Sequence, residues 1–425
     1  MLDIRVIRDR LEEVRAGAAL KRIDVDLDRL VEVDDERRRL IRLVEDAVAE
    51  QRRRSKALGK LSPEEREQEL ASLGGLKEQI KEGEGELAKV QEEFDALMLR
   101  VPNIPSPEVP AGADDTENVE LRKVGEVPVS EFPLQDHVEL GRRLGILDFE
   151  RGVRISGTRF YVLKGAGSLL HRAVLDLAYD HMVDKGFVPF EVPLLVRDPA
   201  MEGTAYFPGG EEQAYRIEKD RLNLVGTAEV PLTSYRGGEI LDEAELPLRM
   251  VARSMCFRRE AGAAGKDTKG LYRIHQFEKV EQVVVLPGDE DASREEHERI
   301  LKNSEEVMQL LGLPYRVVNV CGGDLGVPQV QKFDIETWMP SRDGYGETPS
   351  APRFHDFQAR RLDLRYRTED KKKRFCHTLN NTVVASPRIL IPILEMYQQK
   401  DGSVVVPDAL RPYMRGLEVI EPVTD

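Results

Sequence analysis

The spacing of hydrophobic residues over the first hundred positions predicts two long helices. Apolar side chains recur at steps of mostly three, four or seven over residues 27–58, and again over residues 70–97. Between these stretches, Gly59 suits a helix end, Ser62 an N-cap and Pro63 the first position of a new helix. One apolar stripe on each helix indicates that the two helices pack together. We therefore predict an antiparallel helical hairpin, a coiled-coil arm.

After the second helix, the spacing of hydrophobic residues predicts a mixture of helices and short strands. A proline-rich stretch ends that helix and predicts a stiff linker. Helices are predicted near 168–185, 288–312 and 386–398, and strands near 187–196, 222–225, 248–256, 274–285 and 315–320. Such runs of strands predict an α+β domain with a mainly antiparallel sheet flanked by helices. We expect an N-terminal domain over residues 1–101, a linker over 102–125 and a second domain over 126–425.

Composition narrows the function classes. The 425-residue chain has a net charge of −15, which argues against coating by nucleic acid along its whole surface but allows a local basic face. The three cysteines are far apart and form no CxxC pair, so we expect neither disulfides nor zinc, and a cytoplasmic location. No apolar run has the length of a membrane span, so no membrane association is expected.

The tip of the predicted arm is locally basic. Residues 35–60 contain nine basic and five acidic side chains, an excess that suits contacts to a phosphate backbone. The solvated face of an ordinary coiled coil explains the same charges.

Residues 256–282 read CFRREAGAAGKDTKGLYRIHQFEKVEQ and predict a strand, a basic loop with a tip of small residues, and a returning strand. Such a hairpin could wrap a polyphosphate, and Phe277 could offer its ring face to a base. A solvated hairpin with a mobile tip is the alternative. Its cations are Arg258, Arg259, Lys266, Lys269 and Arg273.

Carboxylates occur at two further places in the predicted sheet. Thr227-Ala228-Glu229 lies at a predicted strand-to-helix transition, where a helix N-cap is the simpler explanation. Glu281 alternates with Lys279 and Phe277 and so shares their strand face. A carboxylate there could capture an ammonium group, or it could be paired or solvated.

Two polar stretches near the end of the chain complete the candidates. Glu347 and Ser350 fall in a predicted glycine- and proline-rich loop, where their oxygens could serve Mg²⁺ or ordinary turn bonds. Ser386 and Pro387 predict a helix start, which places Arg388 in the first turn. An arginine there opposes the helix dipole, which points to a function or to a surface salt bridge.

The order of these pieces resembles the seryl-tRNA synthetases, which are class II aminoacyl-tRNA synthetases, over nearly the whole chain. The resemblance rests on the long N-terminal arm, TAE, FRREAG, GLYRIHQFEKVE, DFQARR and HTLNNT followed by PRIL. Residues 169–195 resemble the first class II motif, and Pro193 would be the fixed proline of that motif. In the family that element forms a homodimer interface, so the resemblance implies a homodimer, a tRNA-binding N-terminal domain and a class II catalytic domain.

The resemblance also implies roles for individual residues. Arg258, Arg388 and Glu347 would act in catalysis, and Glu347 and Ser350 would hold Mg²⁺ with ATP. The implied ATP-binding residues are Arg258, Arg259, Glu260, Arg273, Phe277, Glu347, Thr348, Pro349, Ser350 and Arg388. The implied serine-binding residues are Thr227, Ala228, Glu229, Glu281, Asn380 and Thr382. The implied tRNA-binding residues are Arg37, Arg38, Arg42, Arg52, Arg53, Arg54 and Lys56.

The implied reaction joins L-serine to tRNA(Ser) through seryl-adenylate, consuming ATP and releasing AMP and pyrophosphate. The family would allow tRNA(Sec) as a second substrate. One departure is that Pro349, Pro352 and Arg353 stand where the family commonly has a serine- and cysteine-rich stretch. This departure favours an alternative, a non-catalytic paralogue that binds RNA or a protein. A ligase that acts on carrier proteins is a third hypothesis, against which the complete arm argues.

Overall fold

We describe the fold from a computed structural model, in which residues 1–262 and 269–423 are described. The chain divides into two units. The first contains residues 1–19 and 23–102, and the second contains residues 20–22 and 103–425.

The first unit is helical and contains the predicted hairpin. Two short helices precede it, α1 (Ile4–Asp9) and α2 (Leu11–Leu20), and its own helices are α3 (Leu27–Ala57) and α4 (Pro63–Met98). Ser62 caps α4 as predicted, because its hydroxyl accepts from the backbone N–H of Glu65 while the Glu65 carboxylate accepts from that of Ser62. Gly59 lies in a short 3₁₀ turn after the end of α3. The helical hairpin is confirmed.

The largest sheet of the second unit has eight strands. In chain order these are β1 (Val119–Val124), β2 (Val188–Phe190), β3 (Leu248–Phe257), β4 (Gln276–Leu286), β5 (Tyr315–Asn319), β6 (Gln331–Met339), β7 (Gly344–His355) and β8 (His377–Ser386). Their spatial order is β1-β5-β6-β7-β8-β4-β3-β2. Neighbours are antiparallel except β2 and β3, so the predicted α+β class with a mainly antiparallel sheet is confirmed.

Helices pack on both faces of this sheet, and those on one face form the main core with it. Val284 of β4, Leu301 and Ile393 are fully or almost fully buried in the same apolar cluster. The helices of this unit are α5 (His137–Arg143), α6 (Phe149–Ser156), α7 (Ala166–Asp184), α8 (Asp198–Gly203), α9 (Glu229–Ser234), α10 (Glu290–Leu310), α11 (Phe357–Arg361) and α12 (Leu390–Met396). Across the residues described, no helix combines the length and the apolarity needed to cross a membrane.

The remaining strands are short and form four smaller sheets. Leu195–Val196, Arg216–Ile217 and Leu222–Leu224 make one, and Ile240–Asp242, Arg365–Arg367 and Lys373–Phe375 make another. Two-stranded ribbons pair Leu147–Asp148 with Val162–Leu163, and Val404–Val405 with Val419–Ile420. The single strand predicted over 187–196 is therefore two strands in different sheets.

Most of the segment predicted as a stiff linker is bonded into the second unit. The side chain of Asn103 donates to the backbone oxygen of Phe354 at 2.8 Å, and the Ser106 N–H donates to that of Val330 at 2.9 Å. The later part of the segment forms β1 at the edge of the sheet. The prolines restrict regular pairing but do not prevent these contacts, so residues 103–125 belong to the second unit.

Two other local predictions are wrong. Glu347 and Ser350 lie in β7 rather than in a loop. This strand pairs with β6 along its length but with β8 only at Arg353 and His355, so one edge of its first part has no neighbouring strand among the described residues. An open edge tolerates proline, which lacks an N–H donor.

The last helix starts later than predicted. Ser386 ends β8, and its hydroxyl bonds Nδ1 of His171 at 2.8 Å instead of capping a helix. Arg388 precedes α12, which begins at Leu390. The argument from an unfavourable helix dipole at Arg388 therefore does not apply.

Candidate active site

The hairpin that the sequence singled out is formed by β3 and β4, with Phe257 opposite Gln276. Its returning side is anchored at two points. The backbone N–H of Leu271 donates to Nε2 of His137 at 3.1 Å, and the Lys269 ammonium pairs with Asp136 at 2.5 Å. The predicted mobile tip, including Lys266, lies largely outside the described residues.

A cleft of about 510 Å³, part of it open to solvent, lies beside this hairpin. Most of the residues predicted to bind ATP line this cleft, together with Thr382 from the set predicted to bind serine. Its polar lining consists of Arg258, Glu260, Tyr272, Arg273, Lys279, Glu347, Thr348, Thr382, Ser386 and Arg388, and Phe277 adds an aromatic face. The structure therefore brings together side chains from β4, β7, β8 and the hairpin loop.

Arg258 lies between an aromatic ring and a backbone carbonyl. Its guanidinium carbon is 5.4 Å from the centre of the Phe277 ring, and its Nε donates to the backbone oxygen of Gly226 at 3.3 Å. This arrangement orients the planar fork of the guanidinium inside the cleft. A guanidinium held in this way suits the bidentate recognition of a phosphate group.

Glu260 and Arg273 form an ion pair with each other at 2.7 Å. Glu260 also has a backbone φ of 51°, a left-handed conformation that is uncommon for residues with a side chain. Both side chains line the cleft, as the resemblance implies. A nucleotide bound here would therefore contact a carboxylate and a guanidinium that are already paired with each other.

Arg388 reaches the cleft from the segment after β8 and packs on Tyr272. Its guanidinium carbon is 4.4 Å from the Tyr272 ring centre, and its Nε donates to the Tyr272 backbone oxygen at 3.0 Å. One terminal nitrogen also donates to the backbone oxygen of Glu347 at 3.1 Å. These contacts hold the cation in the cleft, between the returning side of the hairpin and β7.

Glu347 has the properties of a ligand for a hard cation. Its side chain is 49% exposed. Desolvation of the part that faces the cleft opposes its ionisation, but the positive charges of Arg388, Lys332 and Arg258 outweigh that effect, so the pKa of Glu347 lies below its usual range. An ionised carboxylate that lines a cleft is a suitable ligand for a hard cation such as Mg²⁺.

Three of the residues that the resemblance assigns to ATP binding do not line the cleft. Arg259 is exposed, and its backbone N–H bonds the Gln213 oxygen. Pro349 and Ser350 are not part of the cleft lining, and Ser350 lies opposite Asp334 in the strand register. Within residues 1–262 and 269–423, no group of three or more His, Cys, Asp or Glu side chains is arranged to hold a metal.

A buried polar triangle lies at the inner end of the cleft. Glu281 of β4 faces Thr382 of β8 directly in the strand register. The Thr382 hydroxyl donates to Glu281 Oε2 at 3.1 Å, and the Lys279 ammonium lies 2.6 Å from the same oxygen and 3.0 Å from the hydroxyl. The predicted shared face of Lys279 and Glu281 is confirmed. Two predicted serine ligands are therefore in direct contact.

Glu229 is a second buried carboxylate. Gln358 donates to its Oε1 at 2.8 Å, and the Tyr206 hydroxyl donates to its Oε2 at 3.3 Å. Burial, together with the charge of Glu281, raises the pKa of Glu229 to about 7. The simple N-cap explanation is wrong, because Ala228 holds the cap position of α9 and makes no side-chain cap. The Thr227 hydroxyl does accept from the backbone N–H of Glu229, at 3.3 Å.

Asn380 lies two residues before Thr382 on the same strand and therefore on the same face. Only 3% of it is exposed, and its amide nitrogen has no hydrogen-bond partner within the described part of the chain. A buried donor without a partner is uncommon, and it suits a ligand.

The seven arm residues that the resemblance assigns to tRNA binding fall into two groups. Four are paired inside the helical unit: Arg37 and Arg38 with Asp34, Arg53 with Glu50, and Arg54 with Glu69. Arg42, Arg52 and Lys56 are exposed, and they form no ion pair among the residues that the structure describes. The second group has the charge most available to an anionic partner.

The sequence assigned no role to three residues that contact the buried carboxylates. Gln358 belongs to DFQARR, one of the stretches that carry the family resemblance, but the resemblance implied no role for it. Tyr206 follows α8 in an irregular segment, where no pattern marks it. The alternation around Glu281 placed Lys279 on the right face, which was the available signal for its contact with the carboxylate.

Comparison with known proteins agrees with this geometry. Residues 1–105 match the family model described as seryl-tRNA synthetase N-terminal domain. Residues 214–397 match the model described as tRNA synthetase class II core domain (G, H, P, S and T). A serine–tRNA ligase from Deinococcus radiodurans is 46% identical over 420 residues, which cover 99% of this chain and 99% of the relative.

Solved structures give the same result over the full length. The seryl-tRNA synthetase from Pyrococcus horikoshii complexed with ATP superposes with a TM-score of 0.92 at 37% identity and covers 100% of both chains. The cytoplasmic serine–tRNA ligase from Naegleria fowleri in complex with AMP has a TM-score of 0.87 at 32% identity and covers 100% of this chain and 99% of its own. With its helical arm, its antiparallel sheet and its arginine-lined cleft, this chain belongs to the seryl-tRNA synthetase family.

Proposed function

We propose that this protein ligates L-serine to tRNA(Ser), using ATP and forming seryl-adenylate as the intermediate. One observation carries the proposal: Arg258 and Arg388 line the same cleft as Lys279 and Thr382. A phosphate-binding half and a half suited to an amino acid therefore open into one space. This geometry weighs against a non-catalytic paralogue, for which neither half would need to be kept.

The first step joins serine to the nucleotide. A carboxylate oxygen of serine forms a bond with the α-phosphorus of ATP, while the bond from that phosphorus to the pyrophosphate oxygen breaks. No protein side chain acts as a nucleophile. The contribution of the protein is positioning and cationic stabilisation, for which Arg258 and Arg388 are placed.

Mg²⁺ would enter with ATP, held by Glu347 and Ser350, and would neutralise charge on the phosphates. Glu347 is suited to this role because its carboxyl is ionised at neutral pH. For Ser350 the support is the family resemblance, together with the strand register. Glu347 and Ser350 lie opposite Glu336 and Asp334, which are two residues apart on β6, so a register shift brings both side chains to one face. In the second step a hydroxyl of the terminal adenosine of the tRNA attacks the seryl carbonyl carbon, and AMP leaves.

Serine would be recognised by buried polar groups. Glu281 and Glu229 would attract its ammonium group, and Thr382 would bond its hydroxyl. Asn380 offers a further buried donor. A site built to bond a hydroxyl discriminates strongly against an analogue without one, because its buried partners are then left unpaired. Alanine, which differs from serine by that hydroxyl, should therefore be a poor substrate.

The direct test is ATP–pyrophosphate exchange with serine, alanine, glycine, threonine and cysteine in turn. Serine alone should support rapid exchange, and Arg258→Ala should abolish it while leaving the protein folded. Faster exchange with alanine or glycine would contradict the assignment of the serine pocket. No exchange with any amino acid would favour the non-catalytic alternative.

The remaining parts of the proposal concern partners. We propose that tRNA(Ser) binds the arm, with tRNA(Sec) as a second substrate, and that the protein is a cytoplasmic homodimer. The exposed Arg42, Arg52 and Lys56 support the first point. The resemblance of residues 169–195 to the first class II motif, with Pro193, supports the dimer. Analytical ultracentrifugation at micromolar concentration should give about twice the 48.2 kDa mass of the chain.

A further inference from the structure

Lys279 is a buried cation that the reaction described above does not use. Its side chain is 7% exposed and lies on β4, two residues before Glu281. A lysine is seldom buried unless a partner compensates for its lost hydration. Here the compensation comes from the Glu281 carboxylate and the Thr382 hydroxyl, two of the groups assigned to serine.

The charges around Lys279 do not balance. Two buried carboxylates, Glu281 and Glu229, belong to the pocket, and they repel each other. Lys279 is the cation in direct contact with Glu281, and its charge also favours ionisation of Glu229. When both carboxylates are ionised, these three side chains carry a net charge of about −1. Three groups further from the ammonium also interact with it through space: Glu229, Glu347 and the Cys256 thiol.

We propose that Lys279 is a positioning residue that holds Glu281 in place for the amino-acid ammonium group and, by its charge, favours the ionised form of Glu229. The proposal rests on the proposed function. With Lys279 present, one arriving ammonium group neutralises the pocket. Without Lys279, the charge of Glu281 would act on Glu229 with no ammonium group to offset it, so Glu229 would be protonated at a higher pH.

This role predicts a specific dependence on pH. Burial and Glu281 raise the pKa of Glu229 to about 7, whereas the hydrogen bond from Gln358, the charge of Lys279 and the hydrogen bond from the Tyr206 hydroxyl act in the opposite direction. In the unaltered protein, kcat/KM for serine should therefore fall as the pH drops below about 7. If Lys279 is removed, the pKa of Glu229 should rise further. The fall of kcat/KM on the acid side of the pH profile, called the acid limb below, should then occur at higher pH.

The experiment compares Lys279→Met with Lys279→Arg, using serine-dependent pyrophosphate exchange from pH 6 to pH 9 at saturating ATP. Loss of the charge in Lys279→Met should lower kcat/KM for serine about tenfold at pH 7 and move the acid limb up by about one pH unit, the size of a typical charge–charge effect. Lys279→Arg keeps the charge and should leave the limb in place. The KM for ATP should change little in either variant.

A purely structural lysine would give a different result. Its loss would lower thermal stability and weaken both substrates alike, with the acid limb unmoved, and that outcome would overturn the proposal. A flat wild-type profile between pH 6 and pH 8 would overturn it too, without any variant. Lys279→Gln, which keeps a hydrogen-bond donor, serves if Lys279→Met does not fold. Absence of serine-dependent exchange in the wild type would instead refute the proposed function.

Discussion

Removing one hydroxyl from the cleft gives a quantitative test of how serine is bound. Thr382→Val is nearly isosteric, and it deletes the group that donates to Glu281 at 3.1 Å and accepts from Lys279 at 3.0 Å. Thr382 is 7% exposed, so water cannot fully replace the lost contacts. The ion pair between Lys279 and Glu281, at 2.6 Å, should survive the change.

The expected effect follows from the charge of the acceptor. A hydrogen bond to a charged group contributes about 1.5 to 3 kcal/mol. If serine loses a contact of this kind, kcat/KM for serine should fall about 10- to 150-fold. Pyrophosphate exchange at saturating ATP measures this parameter, and the KM for ATP should remain within about twofold of the wild type, because the arginines are untouched.

A matched control removes a buried hydroxyl elsewhere. Thr233 lies in α9, is 1% exposed and does not line the cleft, so Thr233→Val should leave kcat/KM for serine unchanged. The assignment of Thr382 would be refuted if both variants lost activity equally. It would also be refuted if Thr382→Val raised the KM for ATP as much as the KM for serine.

Two further predictions concern stability and the arm. Although burial opposes ionisation, hydrogen bonds from His171 and Arg253 lower the pKa of Glu278 to about 2. A carboxyl with a depressed pKa stabilises the fold above its unfolded pKa and loses that effect as the pH falls through its folded pKa. Glu278→Gln should therefore lower the free energy of unfolding, measured with urea at pH 7, by up to about 3 kcal/mol. The difference between variant and wild type should become smaller below about pH 4.5. An equal difference at both pH values would contradict this prediction. On the arm, replacing Arg42, Arg52 and Lys56 by serine should raise the KM for tRNA and reduce the slope of log affinity against log salt by up to about 3, with pyrophosphate exchange unchanged. Arg39→Ser, which removes a guanidinium paired with Glu36, is the control and should have the smaller effect per residue; equal effects per residue would argue against tRNA binding at these three positions.

The elements predicted best from the sequence were those with a strong local signal. The arm has a long apolar stripe on each helix, together with a capping box at Ser62, and local interactions decide such a structure. The hairpin of β3 and β4 was found because its alternation is clear and its loop contains small and charged residues. The helices near 168–185 and 288–312 correspond to α7 and α10.

The elements that were missed depend on the sheet as a whole. In β7, the glycines and prolines predicted a loop, but pairing with β6 stabilises the strand, and the open edge facing the cleft tolerates the prolines. β1 follows a proline-rich segment and gains its partner, β5, from about 200 residues later in the chain. Such long-range pairing leaves little trace in local propensity.

The residues of the candidate site also fall into those that the sequence predicted and those that it could not predict. The charged residues of the hairpin were recognised from their order and from the family resemblance. The ion pair between Glu260 and Arg273 and the contact of Arg388 with Tyr272 could not be predicted, because they join residues whose separation depends on the folded loop. Gln358 and Tyr206 were missed for a related reason, since α11 and the segment after α8 meet at Glu229 only in the folded chain.

The most direct test of the account is transfer of serine to a tRNA(Ser) transcript. With radiolabelled serine and ATP, the protein should form base-labile seryl-tRNA, with AMP released in equal amount, and Thr382→Val should slow the reaction at limiting serine. If the folded protein attached no serine to tRNA(Ser), or attached alanine or glycine faster, the central claim would be contradicted.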